Sequence, residues 1–294
     1  MKALCIHAHF DDFEFVAGGT FSLWKKALGS EFQGKLVVCT DGAAGHHLHS
    51  RAQTARIRWR EQLRSAVLGD YACEKLVLPN GRTPREGCLV ADRPLLASLW
   101  KAIRDFEPDY LFAPPLPADP RAGVHADHWV VAEAVRKVAY FINVPQAFTP
   151  EFPSRERMAS PRTVPVILTT YDAYMAGANA YDLAIETEPV FDLVASLTWC
   201  HQSQISEWLP WVGRHSMSKP GSREDWNRTL RERVIRQNRD LGMNHRRATE
   251  VFSLTAWGAV PTLQKLQADM PFLRLSQPAA KRLARQLAAW GSSP

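Results

Sequence analysis

Residues 2–20, KALCIHAHFDDFEFVAGGT, decide how this chain folds. KALCIHA (2–8) is a short run in which nearly every position is apolar, the signature of a strand buried on both faces. The run breaks at His9-Phe10-Asp11-Asp12-Phe13-Glu14, and VAGGTFSLWKKAL then reads as a helix, with Gly18-Gly19 allowing it to pack closely. A strand, a polar turn and a helix make the first half of a βαβ unit. The alternation continues outward. GKLVVCT (34–40), KLVLP (75–79), DYLFAPP (109–115) and TVPVILTT (163–170) read as strands two to five. Segments 50–69, 91–106 and 128–142 read as helices between them. Ile57, Leu63 and Val67 mark the apolar face of the first, and Gly69 its stop. This pattern predicts an α/β fold: a Rossmann-like, mainly parallel sheet with helices on both faces. Residues 145–162, rich in Pro, Ser and charge, read as a connection. Beyond residue 170 the pattern turns helical, punctuated by Trp199, Trp208, Trp211, Trp226 and Trp257. Residues 1–252 are read as a single α/β domain, and 253–294 as a Trp/Arg-rich C-terminal extension packed on it.

The 294 residues are 46% hydrophobic and 22% charged, which supplies a core and excludes disorder or coiled coil as the main architecture. No apolar run reaches the roughly 18–20 residues that span a bilayer. The N-terminus turns acidic too soon for a secretory signal, so a cytoplasmic protein is expected. Five scattered cysteines without CxxC spacing suggest neither disulfides nor a thiolate zinc site; Cys5 and Cys39 read as core. The net charge of +6 is uneven. From Arg214 onward there are fifteen Lys/Arg against six Asp/Glu, while the preceding residues are slightly acidic. The excess lies on helical patterns such as TLRERVIRQNRDLG. It is read as a solvated helix face rather than a nucleic-acid surface, with an anionic ligand or partner protein left open.

Ligands of open parallel sheets bind outside the carboxyl ends of the strands. Strand one is followed there by His9, Asp11 and Asp12, and strand four by His125-Ala126-Asp127-His128. His9 and Asp12, three apart on a turn, can reach one point, and His128 can meet them from strand four. Two imidazoles and a carboxylate leave coordination positions open, as catalytic zinc sites do, and the set also accepts Fe(II). Asp11 is then free to take a proton from water, His125 to hold the oxyanion that develops on a carbonyl, and Asp127 to orient an imidazole.

Those residues carry a resemblance. AHFDDFEFVAGGT (8–20) resembles the opening motif AHPDDxExxxGGT of the PIG-L/LmbE-like N-acetylglucosamine deacetylases, and HADH (125–128) resembles their HPDH. TDGAAG (40–45), RWREQLRSAVLGD with Arg58 and Glu61, CHQSQ (200–204) and ATEVF (248–252) are similar to further segments of that family. The resemblance implies a Rossmann-like fold and a divalent metal, normally zinc, on His9, Asp12 and His128. It implies Asp11 as general base, His125 as stabiliser of the tetrahedral intermediate, and Arg58 as a substrate contact. The implied activity is hydrolysis of the acetamide of N-acetylglucosamine units on diverse aglycones. Phe10 and Ala126 replace the family's prolines, and Phe10 is expected to alter the rim of the site.

The expected partner is thus a small amino-sugar conjugate, free or linked, with no nucleic acid and no membrane span; a homo-oligomer is allowed for. Two alternatives are retained: an amidase releasing a non-acetyl acyl group, and a non-catalytic sugar- or nucleotide-binding protein. No GxSxG, GxGxxG or Walker-type motif supports a rival chemistry. His46, His47 and His49 are read as a solvated loop rather than a second metal or substrate contact, and His7 as buried and hydrogen-bonded rather than a ligand. Trp208, Trp211, Arg214 and His215 are read either as packing or as a platform for a sugar or aglycone.

Overall fold

A computed structural model describes residues 1–155, 162–175, 177–213 and 217–291. Its seven strands are β1 Lys2–His7, β2 Gln33–Val38, β3 Ala72–Lys75, β4 Tyr110–Ala113, β5 Val166–Thr170, β6 Leu183–Glu186 and β7 Thr249–Leu254. They form one sheet in the order β3-β2-β1-β4-β5-β7-β6. The first five strands in that order run parallel; β7 pairs antiparallel with both β5 and β6. The chain moves outward from β1 through β2 to β3, then returns to the other side of β1 with β4 and β5. The strand order therefore reverses between β1 and β4, which opens a crevice at their carboxyl ends.

Strand geometry divides the core in two, because successive side chains point to opposite faces. Ala3, Cys5, Leu36, Val38, Tyr110 and Phe112 join one cluster; Leu4, Ile6, Val37, Leu111 and Ala113 join the other. The first is covered by helices α1 Asp12–Val16, α2 Gly18–Leu28 and α6 Phe191–Trp199, with α3 Arg51–Gly69 beside them. The second is covered by α4 Arg93–Phe106 and α5 Ala126–Ala139. Helices thus cover both faces, as the sequence predicts. The remaining helices are α7 Leu209–Val212, α8 Arg223–Asp240, α9 Leu263–Asp269 and α10 Gln277–Gly291. The C-terminal part shares the first core: Leu266, Met270, Leu283 and Leu287 are buried in it. Cys5 and Cys39 are buried and free.

Three expectations are corrected. Strand three lies at 72–75 rather than 75–79. It is an edge strand whose sheet bonding ends with Leu76 N–H donating to the Val38 carbonyl (2.8 Å), after which the chain turns over Asn80-Gly81. Beyond residue 170 the chain is not purely helical, since β6 and β7 complete the sheet. They are only four and six residues long and separated by more than sixty, so no local periodicity links them. Finally, α3 does not pack through Leu63 and Val67, which are 40% and 84% exposed. Its buried stripe is Thr54, Arg58, Glu61, Gln62 and Ser65. Among the described residues no helix is long and apolar enough to cross a membrane.

Candidate metal centre and catalytic cleft

The turn after β1 carries its polar residues inward because of one backbone torsion. Asp11 adopts φ 87°, in the left-handed region that Asp tolerates better than most residues, and serves as the N-cap residue of α1. Its N–H donates to Gln62 Oε1 (3.2 Å). Phe10 is fully buried against Trp59 and the backbone of Gly42, where any side chain would strike its ring. It therefore anchors the turn from beneath and does not form the rim. Close packing also explains Gly19, where an added Cβ would lie 2.7 Å from Thr187 and 2.8 Å from Glu250.

His9, Asp12 and His128 converge. His9 Nδ1 lies 3.2 Å from Asp12 Oδ2 and 3.2 Å from His128 Nε2, and His128 Nε2 lies 3.3 Å from Asp12 Oδ2. Ligand bonds of 2.0–2.1 Å in a tetrahedron put donor atoms about 3.3–3.4 Å apart, so this near-equilateral triangle fits one face of a zinc-type coordination sphere. The outer ring nitrogens are tied back. His9 Nε2 meets Asp127 Oδ2 at 3.1 Å, and His128 Nδ1 meets Asp172 Oδ2 at 3.0 Å. Each carboxylate fixes the proton on the far nitrogen and leaves the near one to face the shared point. Asp127 is itself held by the Gly87 and Leu89 N–H groups. Burial opposes charge on both rings, but Asp12 overcomes it, holding His9 up at about 9 and His128 at about 10. An ion entering this site would displace those protons.

His7 and His125 flank the triangle. His7 Nδ1 lies 2.6 Å from Asp12 Oδ2, and the ring is buried, in line with the sequence reading. His125 stands 4.5 Å from the His9 ring and 5.0 Å from the His128 ring, centroid to centroid. Two further sets of three donors around the triangle lie close enough together to hold an ion, His9 with His125 and His128, and His7 with Asp12 and His128; a third set, His46 and His49 of the loop after β2 with Glu207, lies apart. His125 Nδ1 accepts the Asp127 N–H (3.2 Å), which leaves Nε2 as the protonated, donating nitrogen. Burial, together with the neighbouring His9 and His128, lowers its pKa to about 4.

Asp11 is held next to this group by Arg58, whose Nη2 donates to Asp11 Oδ1 (3.2 Å) and to the Phe10 carbonyl (2.7 Å). Arg58 Nη1 donates to Glu86 Oε1 at 2.9 Å. Both terminal nitrogens of Arg58 are thus taken up by the protein, although the residue lines the cleft. Burial pushes the Asp11 carboxyl up to about 6, against the pull of Arg58. Glu86, Asp172 and Gln62 are neighbours that the sequence reading did not single out. Asp172 stands two residues beyond β5, at the same strand edge, and was findable there; Glu86 comes from an irregular loop with no such signal.

The segment around residues 200–212 closes one wall. Ser203 N–H and Oγ donate to the Glu61 carboxylate, and Gln204 Nε2 donates to the Gly45 carbonyl. These bonds fasten the π-helical turn Ser203–Trp208 to α3 and to the loop after β2. That loop is not a solvated histidine cluster. His46 faces Glu207 at 2.9 Å with its side chain buried, and His47 stacks on Trp211 at 4.5 Å. Trp208 lines the cleft and stacks on Trp211. Arg214 and His215 lie outside the described residues.

Comparison with known proteins places this geometry in context. Residues 4–139 match the family model described as PIG-L, GlcNAc-PI de-N-acetylase. No curated protein matches the sequence. N,N'-diacetylchitobiose deacetylase from Pyrococcus horikoshii shares the fold with a TM-score of 0.64 and 22% identity, over 86% of this chain and 83% of that one. The 4-carboxy-2-hydroxymuconate hydratase of Pseudomonas putida shares it with a TM-score of 0.60 and 16% identity, over 86% and 95%. A conserved protein from Thermus thermophilus does so with a TM-score of 0.59 and 19% identity, over 86% and 93%. Deacetylase and hydratase on one fold mean that the architecture alone does not select the reaction.

Proposed function

From the match of residues 4–139 to the PIG-L family model and the geometry of the site, we propose that the protein is a metal-dependent amidohydrolase of that family. Its substrate would carry an N-acetylglucosamine-type amino sugar, free or conjugated, and its products would be acetate and a free amine. His9, Asp12 and His128 would hold the ion, zinc or Fe(II). When bound, such an ion supplies Lewis-acid activation, polarising a carbonyl and making water easier to deprotonate. The observation that carries this reading is the triangle of donor atoms at 3.2–3.3 Å with Asp11 beside it.

The side chains divide the remaining work. Asp11, steadied by Arg58 and Gln62, takes the proton from the attacking water as the new C–O bond forms. His125 is neutral, with its Nε2–H free, so it donates a hydrogen bond to the oxyanion on the former carbonyl oxygen. A ring whose pKa is lowered to about 4 is a hydrogen-bond donor rather than a proton store. The proton held on Asp11 is therefore the one passed to the leaving nitrogen as the C–N bond breaks.

Elemental mass spectrometry of the purified protein is the first test, with about one zinc or iron per chain expected and loss of it in His128→Ala. Asp11→Asn, which tolerates the same backbone torsion, should keep the metal while lowering turnover of an N-acetylglucosaminide roughly 10²–10⁴-fold. Absence of metal after reconstitution with Zn or Fe(II) would sink the hydrolase reading. Loss of metal in Asp11→Asn would mean that the roles of Asp11 and Asp12 are exchanged.

A further inference from the structure

Ser203 and Gln204 of the segment CHQSQ (200–204) fasten the wall of the cleft, but the histidine of that segment is engaged elsewhere. His201 is fully buried, and its Nε2 lies 3.1 Å from Oε1 of Glu14, itself fully buried on α1. Neither residue lines the cleft. The His201 Nδ1 has no hydrogen-bond partner among the described residues, so Glu14 is the contact that this ring serves. Burial opposes charge on the ring, but Glu14 overcomes it and holds the pKa above its ordinary value.

A buried ion pair is a poor source of stability, because desolvating both charges offsets much of their attraction. Its better-attested use is to fix one arrangement over others. What this pair can fix is visible in its neighbours. The same Glu14 Oε1 accepts from Gln62 Nε2 at 2.7 Å, from Ser65 Oγ at 2.6 Å and from the Tyr71 hydroxyl at 2.7 Å. An amide has one donating and one accepting end. With Nε2 committed to Glu14, Gln62 turns Oε1 the other way, where it accepts the Asp11 N–H at 3.2 Å. That bond steadies the residue at φ 87° whose carboxylate stands beside the His9–Asp12–His128 triangle.

The partners of Glu14 are not equivalent. Hydroxyls accept as readily as they donate, so Ser65 and Tyr71, which also bond to each other at 2.9 Å, follow the glutamate rather than direct it. The imidazolium is the partner whose charge demands a carboxylate oxygen at that point. Without it Glu14 is free to turn, and a Gln62 with its amide flipped would set N–H₂ against the Asp11 N–H.

Resting on the amidohydrolase reading, we propose that His201 is a positioning residue for the general base. Paired with Glu14, it locks the Gln62 amide and through it the Asp11 turn. It acts on the proton-transfer step rather than on substrate or metal binding.

Two measurements on the metal-loaded protein test this, each with His201→Phe, which removes charge and donor, and His201→Gln, which keeps a donor. The first is amide hydrogen exchange followed by NMR. The Asp11 N–H should exchange roughly tenfold faster or more in His201→Phe, and at an intermediate rate in His201→Gln. The Gly19 N–H, held by Glu250, is the internal control and should keep its rate. Unchanged Asp11 exchange would overturn the proposal, and so would equal acceleration at Asp11 and Gly19, which is what general loosening gives. If His201→Phe does not fold, the intermediate rate in His201→Gln decides alone. The second measurement is turnover of an N-acetylglucosaminide. In His201→Phe kcat should fall roughly tenfold or more, with KM and metal content unchanged. In an Asp11→Asn background the same substitution should cost less than about twofold, because the base through which it acts is gone. Equal fold-losses in the two backgrounds would overturn the proposal. If wild type turns over no N-acetylglucosaminide, the amidohydrolase reading fails, and the exchange measurement still decides whether His201 holds the Asp11 turn.

Discussion

His9 and His128 each reserve one ring nitrogen for a carboxylate and present the other to Asp12, so their orientation depends on residues that would never touch the ion. Asp172 is the more informative of the two supports. It accepts the Tyr174 N–H on Oδ1 while Oδ2 meets His128 Nδ1, which fixes both the loop and the imidazole. Asp172→Asn keeps the shape but lets the amide present its N–H₂ to the ring, favouring the wrong tautomer. Zinc affinity should fall about 10–100-fold, measured by competition with a chromophoric chelator, while the fold by circular dichroism is unchanged. Unchanged affinity would mean that His128 is oriented by something else. At this scale the sequence was legible where imidazoles and carboxylates cluster in the connection between a strand and the next helix: His9, Asp11 and Asp12 directly after β1, and His125, Asp127 and His128 where the longer loop after β4 enters α5, all line or brace the cleft. The lone Asp172, two residues past β5, was missed. Arg233, which lines the cleft from α8, was not legible, since nothing in TLRERVIRQNRDLG distinguishes the arginine that reaches the cleft from the others.

α3 illustrates why a helix can be recognised while its faces are exchanged. Hydrophobic spacing of Ile57, Leu63 and Val67 has the helical period, but so does the polar series Thr54, Arg58, Glu61, Gln62 and Ser65. The polar face is the buried one because most of its groups are bonded on the site side, Arg58 to Asp11, Glu86 and the Phe10 carbonyl and Glu61 to Ser203, while Thr54 bonds within the helix to the Ser50 carbonyl. Gln62 accepts the Asp11 N–H and donates to Glu14 and the Tyr71 hydroxyl, and Ser65 donates to Glu14. Buried polar groups are tolerable on that condition. Leu63→Lys and Val67→Lys should therefore change stability by less than about 0.5 kcal/mol. Gln62→Leu, apolar and close in size, should cost about 2–3 kcal/mol by stranding the Asp11 N–H and removing one donor from Glu14. Urea titrations of the three variants decide between the faces. A large loss in Val67→Lys would restore the hydrophobic reading of the helix.

Across the whole molecule, the His9–Asp12–His128 triangle is built from the parallel half of the sheet, while Trp208, Leu209 and Arg233 from beyond β6 help to line the cleft, so that half is not self-sufficient. The Trp24 indole N–H donates to the Asp269 carbonyl (2.7 Å), and the Tyr110 hydroxyl donates to the Asp269 carboxylate (2.6 Å). Trp24 belongs to α2 and Tyr110 to β4, so the C-terminal part is tied to both the sheet and the helix that follows the His9–Asp12 turn and α1. Leu266, Met270, Leu283 and Leu287 add four buried side chains to the same core. At roughly 1.5–3 kcal/mol each, their burial is worth about 6–12 kcal/mol, comparable with the whole stability of an ordinary domain, about 5–15 kcal/mol. A chain stopped after Pro261 should therefore lose its near-ultraviolet circular dichroism and its metal together. The full-length protein should unfold in one transition, seen alike by tryptophan fluorescence and by metal release. A truncated chain that kept native spectra and one bound metal per molecule would show instead that residues beyond 261 are an addition to an independent domain. The sequence boundary near residue 252 marks where recognisable motifs end, and motifs follow the site. The core extends further because apolar positions on α9 and α10 carry no motif, only the spacing that lets Leu266, Leu283 and Leu287 join the core that holds Trp24 and Tyr110.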